Sequence, residues 1–182
     1  VSLQPNEKRE VAFAPADYPQ LKNQRMNLWW PNGYGSPYLY DAGFKVSDKA
    51  SGEMLSELTY KAGIRQMSYA DLETQIKIYI NGKRLNPLGG NWGFSETNLN
   101  YRGREYDAAV RYHKEMNYNM IRDWVGQIGD EELYEACDKY GIMIWQDFWL
   151  ANPWDGPDPD DDKMFLENSA DYISRIRSHA CI

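Results

Sequence analysis

The sequence predicts a mixed fold: the end of an all-β, immunoglobulin-like sandwich over residues 1–70, followed by the first three βα units of a (β/α)8 TIM barrel over residues 71–182. Three observations predict it. Short β-rich runs separated by turn clusters fill the first third of the chain. One hairpin signal follows them. After Pro87 each short apolar run is trailed by roughly 10–15 residues of helical pattern, the rhythm of a parallel sheet with helical crossovers.

In order, residues 9–14, 38–46 and 57–67 read as strands, and Pro31-Asn32-Gly33 and Asp48-Lys49-Ala50-Ser51-Gly52 as the turns between them. A complete immunoglobulin-type sandwich has about seven strands, so the missing partners are expected upstream or in another chain. Ile76, Ile78 and Ile80 alternate with Lys77 and Tyr79, and Asn81-Gly82 supplies the positive-φ pair of a tight turn into residues 83–88. The domain boundary is placed within residues 68–74.

Beyond it, residues 86–92 read as a strand end, and Tyr106, Ala109, Val110, His113 and Met116 mark one helical face. A strand is expected over 119–124. A helix follows over 130–140, with Asp130 as N-cap, Leu133, Ala136, Cys137 and Tyr140 facing inward, and Gly141 as its stop. Residues 142–148 form a third strand, and Phe165, Tyr172, Ile173 and Ile176 stripe a third helix ending near Ser178. Residues 179–182 should enter a fourth strand. A whole barrel takes about 250 residues, so residues 71–182 are expected to leave it open. A flavodoxin-like sheet fits the same alternation, but would not normally follow half a sandwich or carry so many tryptophans at strand ends.

The net charge of −7 sets nucleic acid aside as a partner. No run of 18 apolar residues is present to span a bilayer, and the first ten residues lack the layout of a signal peptide, so the chain is expected to begin inside a longer protein. The two cysteines, Cys137 and Cys181, read as buried thiols. Aromatic residues make up 14% of the chain, more than an ordinary core needs. Most are core filler, while flat rings that stack on pyranose faces are the other common use.

Three stretches carry a specific resemblance: Leu28-Trp29-Trp30-Pro31-Asn32-Gly33-Tyr34-Gly35 with Leu39-Tyr40; Gly89-Gly90-Asn91-Trp92-Gly93; and Met120-Ile121-Arg122-Asp123-Trp124 followed by residues 134–148. In this order they resemble glycoside hydrolase family 2, in its β-mannosidase and exo-β-glucosaminidase branch. The resemblance implies a retaining exo-β-glycosidase that hydrolyses β-mannosides or β-glucosaminides through a covalent glycosyl-enzyme intermediate. Its substrate would be a β-linked oligosaccharide or glycoprotein glycan, its other partner the rest of its own barrel, and it needs no cofactor or metal. Enzymes of this kind are often periplasmic or secreted. In the family a lead-in similar to Arg177-Ser178-His179-Ala180-Cys181-Ile182 precedes the strand that bears the acid/base Glu, and the nucleophilic Glu lies further on. No catalytic carboxylate is therefore expected within these residues, and the chain alone is expected to be inactive. The chain has Asn91-Trp92-Gly93 where β-galactosidases and β-glucuronidases have Asn-Arg-His, and Pro87-Leu88 where a basic residue commonly precedes the two glycines.

The resemblance further implies one wall of a sugar site at the C-terminal ends of the barrel strands: Asn91 and Trp92, Arg122 and Trp124, Asp147 and Trp149. Arg122 matches a residue that lies beneath the nucleophile, where a guanidinium keeps a carboxylate ionised; an ordinary ion pair is its other reading. Trp124 matches a tryptophan that packs on bound sugar, or else it plugs the barrel top. Trp92 and Trp149 also read as packing residues, and Asn91 and Asp147 as loop ties. His113 reads as a core or interface histidine, and Met116, Met120 and Met143 as core. The acidic run Asp155-Gly156-Pro157-Asp158-Pro159-Asp160-Asp161-Asp162 reads as a solvated loop capping the third helix, because its spacing fails the EF-hand pattern. A non-catalytic carbohydrate-binding or scaffold module is the competing reading of the whole chain.

Overall fold

Two antiparallel strands, β1 (Tyr40–Ser47) and β2 (Met54–Ala62), pair from Tyr40 opposite Ala62 to Ser47 opposite Met54. The computed structural model describes residues 1–22, 25–92, 102–150 and 158–182. The turn between β1 and β2 is built on Asp48, whose Oδ1 accepts from the backbone N–H groups of Ala50 (2.9 Å) and Ser51 (2.7 Å). Phe44, Val46, Leu58 and Tyr60 of this hairpin are exposed.

β3 (Met67–Ala70), β4 (Lys77–Ile80) and β5 (Lys83–Leu85) form a second antiparallel sheet in that order. Asn81 (φ 50°) and Gly82 (φ 79°) make the expected two-residue turn, and Ile80 and Leu85 bury their side chains. The pairing of β3 with β4 crosses residue 70, where the domain boundary was expected. Two strand expectations in this part of the chain are corrected. Residues 9–14 form no strand, because no second segment among the described residues pairs with them; Phe13 instead packs its ring on Tyr18 and Phe44. Residues 57–67 are not one strand: β2 ends at Ala62, and the carbonyl of Ile64 accepts from Trp29 N (2.8 Å) before β3 begins.

The rest alternates as expected. β6 (Gly89–Trp92), α1 (Arg104–Glu115), β7 (Met120–Asp123), α2 (Glu131–Tyr140), β8 (Met143–Gln146) and α3 (Asp162–Ile176) follow one another, and the strands form a parallel sheet in the order β6-β7-β8. α1 buries Tyr106 and Val110, α2 buries Leu133, Ala136 and Cys137, and α3 buries Tyr172 and Ile176. Met116 caps α1 beyond its apolar face and is 54% exposed, so it is not core, whereas Met120 and Met143 are. Ile173, expected on the inner stripe of α3, is exposed. Asp130 precedes α2 but does not cap it with its side chain; its carboxylate accepts from the Tyr106 hydroxyl (3.0 Å) and ties α1 to α2. α3 is capped by Asp161, which accepts from Met164 N (2.9 Å); residues 155–157 of the acidic run, and Gly93, lie outside the described residues. Residues 179–182 form turns rather than a strand, yet Cys181 O accepts from Ile144 N of β8 (2.8 Å). Both cysteines are buried free thiols.

The Trp-Trp-Pro-Asn-Gly stretch joins the two halves at helix ends. A helix leaves its last carbonyls without intrahelical donors. Trp29 Nε1 donates to Asp138 O in the last turn of α2 (2.7 Å), Asn32 N to Gly141 O (2.7 Å), and Asn32 Nδ2 to Lys114 O (3.1 Å) and Tyr118 O (2.9 Å) at the end of α1. Gly141 caps α2 in the left-handed region (φ 75°), and a Cβ there would lie 3.0 Å from Asn32 N and from Trp30 O. Trp29, Ile80 and Leu85 share one buried cluster with the residues of the parallel sheet and its helices.

Candidate active site

Strand register decides which side chains share a face, because successive residues of a strand point to opposite sides. Ile121 and Ile144, with Trp92 and Asp123 one step further on, are buried on the helix side of the sheet. Asn91, Arg122 and Trp145 stand in register across β6, β7 and β8, and all three are exposed on the opposite face near the C-terminal edge. A recess of about 150 Å³ lies beside them, lined by Pro87, Gly89, Gly90, Asn91, Met120 and Arg122.

Arg122 and Asp147 meet at this edge. Arg122 Nε lies 3.1 Å from Asp147 Oδ1 and 3.0 Å from Oδ2, and its terminal Nη2 lies 2.7 Å from Oδ2. This bidentate fork holds the guanidinium in one orientation and raises its already high pKa, the hydrogen bonds to Asp147 being the largest cause. The Trp145 ring sits 5.9 Å from the guanidinium carbon, within cation–π range. Asp147 Oδ2 also accepts from Val125 N (3.2 Å). Val125, a β-branched residue, is held at φ 52°, ψ 34°, an uncommon conformation for such a side chain. Trp124 beside it is 46% exposed.

The two other tryptophans lie elsewhere. Trp92 is buried on the helix side with its ring 5.3 Å from that of His113 of α1, and His113 Nδ1 bonds Ala109 O (2.8 Å) within its own helix. Trp149 packs on α3, 6.0 Å from Phe165 and 5.7 Å from Tyr172. Of the six candidates, then, Asn91, Arg122 and Trp124 border the open edge with Asp147 holding Arg122, while Trp92 and Trp149 pack against helices.

Sequence reading overlooked Trp145 and Asp123. The period-2 alternation that puts Trp145 on the same side as Met143 was available in the sequence; a nearly continuous apolar run obscured it. Asp123 is fully buried, and neither carboxyl oxygen has a hydrogen-bond partner among the described residues. Burial pushes its pKa up to about 7, the nearby Gln146 amide offsets part of this, and the Asp147 charge adds to it. Around it, Tyr134 OH donates to Gln146 Oε1 (3.0 Å) and contacts Tyr172 OH, and burial raises the pKa of both phenols.

Donor atoms of Asp138, His179 and Cys181 lie within 4.8 Å of one another, as metal ligands do. Each is already engaged: His179 Nδ1 with Asp138 Oδ2 (2.7 Å), His179 Nε2 with Glu131 Oε1 (2.9 Å), Asp138 Oδ1 with Cys181 N (2.8 Å), and Cys181 Sγ with Tyr134 O (3.6 Å). The cluster pins residues 179–181 to α2. A larger cavity of 640 Å³, between the β1–β2 hairpin and α2, is lined by Leu39, Phe44, Leu58 and Tyr60 and lies away from Arg122.

Residues 2–65 match the family model for glycosyl hydrolases family 2. Over 175 residues the chain is 36% identical to a mannosylglycoprotein endo-beta-mannosidase of Lilium longiflorum, covering 90% of this chain and 18% of the relative. It is 30% identical over 158 residues to an exo-beta-D-glucosaminidase of Streptomyces avermitilis, covering 86% and 17%. The crystal structure of a beta-D-mannosidase from Dictyoglomus thermophilum superposes with a TM-score of 0.71 at 30% identity, covering 85% of this chain and 20% of that one. The chain thus spans about a fifth of the length of these relatives. Over most of its length the chain is thus similar to members of glycosyl hydrolase family 2, β-mannosidases and exo-β-D-glucosaminidases among them.

Proposed function

We propose that these residues are part of a retaining exo-β-glycosidase acting on β-mannosides or β-glucosaminides, and that the C-terminal edge of β6–β8 is one wall of its sugar site. The observation that carries this reading is the Arg122–Asp147 fork beside exposed Trp124 and Trp145: a fixed cation among rings able to stack on a pyranose. Residues 1–70 would then be the last part of an immunoglobulin-like sandwich and residues 71–182 the opening of a (β/α)8 barrel, with β6, β7 and β8 as its first strands.

Retention needs two carboxyl groups about 5–5.5 Å apart, one protonating the leaving oxygen and the other attacking the anomeric carbon. In this proposal both come from later barrel strands. Arg122, anchored from below by Asp147, keeps the attacking carboxylate ionised through its remaining donors. The exposed rings orient the sugar and shield it from water. Identity to a relative named as an endo-β-mannosidase of mannosylglycoproteins favours a second reading, in which the same wall binds an internal mannoside of a glycoprotein glycan.

The test is hydrolysis of p-nitrophenyl β-mannoside and β-glucosaminide by the full-length protein, with the first-formed anomer read by NMR. Release of the β-anomer supports the proposal, and release of the α-anomer contradicts retention. Binding of sugar without turnover of these glycosides or of a mannosylated glycopeptide supports the carbohydrate-binding module instead.

A further inference from the structure

We infer that Asp147 is a positioning residue rather than a sugar ligand: one carboxylate that sets both the guanidinium of Arg122 and the backbone that carries Trp124. The inference rests on the glycosidase reading above and assigns a distinct role within that site.

Geometry separates the two roles. The Asp147 side chain is 15% exposed, and its oxygens are taken up by protein donors: Oδ1 by Arg122 Nε, and Oδ2 by Arg122 Nε, Arg122 Nη2 and Val125 N. A carboxylate offers about four lone-pair sites, so little is left for a sugar hydroxyl. Its backbone is fixed as well, because Asp147 N donates to Asp123 O (3.2 Å) and Asp147 O accepts from Gln146 Nε2 (3.0 Å). Arg122, by contrast, has a side chain 45% exposed, and its Nη1 has no partner among the described residues. The fork therefore fixes one edge of the guanidinium and leaves the other for a second anion.

The same oxygen that binds Arg122 holds Val125 N, and Val125 sits in the left-handed region that β-branched residues avoid. A conformation of that kind persists only where surrounding contacts enforce it. Without the Asp147 acceptor the turn is free to relax, and Trp124, the residue before it, would move with the backbone. One side chain thus couples a charge to a stacking ring, and its charge also tempers how strongly Arg122 favours an ionised carboxylate nearby.

The test uses the full-length protein and p-nitrophenyl β-mannoside and β-glucosaminide. Asp147→Asn keeps an acceptor for Val125 N but removes the charge; Asp147→Glu keeps the charge. Wild-type turnover is measured first, and thermal unfolding checks that each variant is folded. The expected result for Asp147→Asn is a kcat lower by roughly tenfold to a hundredfold, a KM changed by less than about threefold, and a displaced acidic limb in the pH profile of kcat/KM, with partial recovery in Asp147→Glu. If Asp147→Asn does not fold, Asp147→Glu still decides through its kcat and acidic limb. A higher KM with unchanged kcat and pH profile would show a direct sugar ligand and overturn the inference; so would a variant indistinguishable from wild type. A wild-type protein without turnover overturns the glycosidase reading itself, and this inference with it.

Discussion

The indole of Trp29 donates to the carbonyl of Asp138 at 2.7 Å, so a residue of the β-rich first part satisfies a carbonyl in the last turn of α2. Trp29 is fully buried, and its backbone N–H and carbonyl are bound as well, to Ile64 O and Asn81 Nδ2. Trp29→Phe keeps most of the packing and leaves that carbonyl without its donor; the expected loss is about 1–3 kcal/mol of unfolding free energy. Trp29→Ala should cost about 3–5 kcal/mol, because it also opens a cavity. Denaturant unfolding of the protein and the two variants checks the order.

Asp123 makes stability fall with rising pH. Its pKa is 3.8 when unfolded and about 7 when folded, so between those values the folded state holds a proton that the unfolded state has lost. Stability contributed by that proton is present below pH 4 and disappears as pH rises through 7. One unit of displacement corresponds to about 1.4 kcal/mol, and Asn cannot ionise. Asp123→Asn should therefore match the wild type near pH 4 and exceed it by up to about 4 kcal/mol at pH 8. Denaturation at both values is the check, and a constant difference would contradict the assignment.

His179 acts in the same direction from another place. Burial alone would lower its pKa, but the hydrogen bonds and charges of Asp138 and Glu131 outweigh burial and raise it above 6.5. A raised imidazole pKa means that the stability it contributes is fully present below the unfolded value and is lost as pH rises through the folded one. His179→Gln should be less stable than wild type by about 2 kcal/mol at pH 6. The gap should narrow steadily above pH 6.5. Unfolding curves across pH 6–9 would show that convergence; parallel curves would exclude a charged imidazole at this position.

Much of this was legible in the sequence because local rules acted without competition. Ile78 and Ile80, alternating with Lys77 and Tyr79, declare a strand, although Ile76 falls just before it, and Asn81-Gly82 can take the positive φ that the turn needs. Gly141 likewise ends α2 in the left-handed region. What stayed hidden depended on partners distant in the chain. Residues 9–14 have strand composition, but a strand exists only beside another, and composition does not name its neighbour. Asp130 is a suitable cap residue whose carboxylate is claimed instead by Tyr106, 24 residues earlier. At the site, Arg122 and Asp147 were each visible as strand-end residues, but their mutual fork and its tie to Val125 require the register of β7 with β8. Trp145 was overlooked within the apolar run 142–148, because a strand buried on both faces and one open on one face read alike there.

The measurement that tests the central claim most directly is steady-state kinetics of Arg122→Ala in the full-length protein on aryl β-mannoside and β-glucosaminide. If the open edge of β6–β8 is the sugar site, with Arg122 keeping the attacking carboxylate ionised, kcat should fall by roughly a hundredfold or more while KM changes by only a few fold. An unchanged kcat in a variant that folds normally would remove Arg122 from the site and contradict the account.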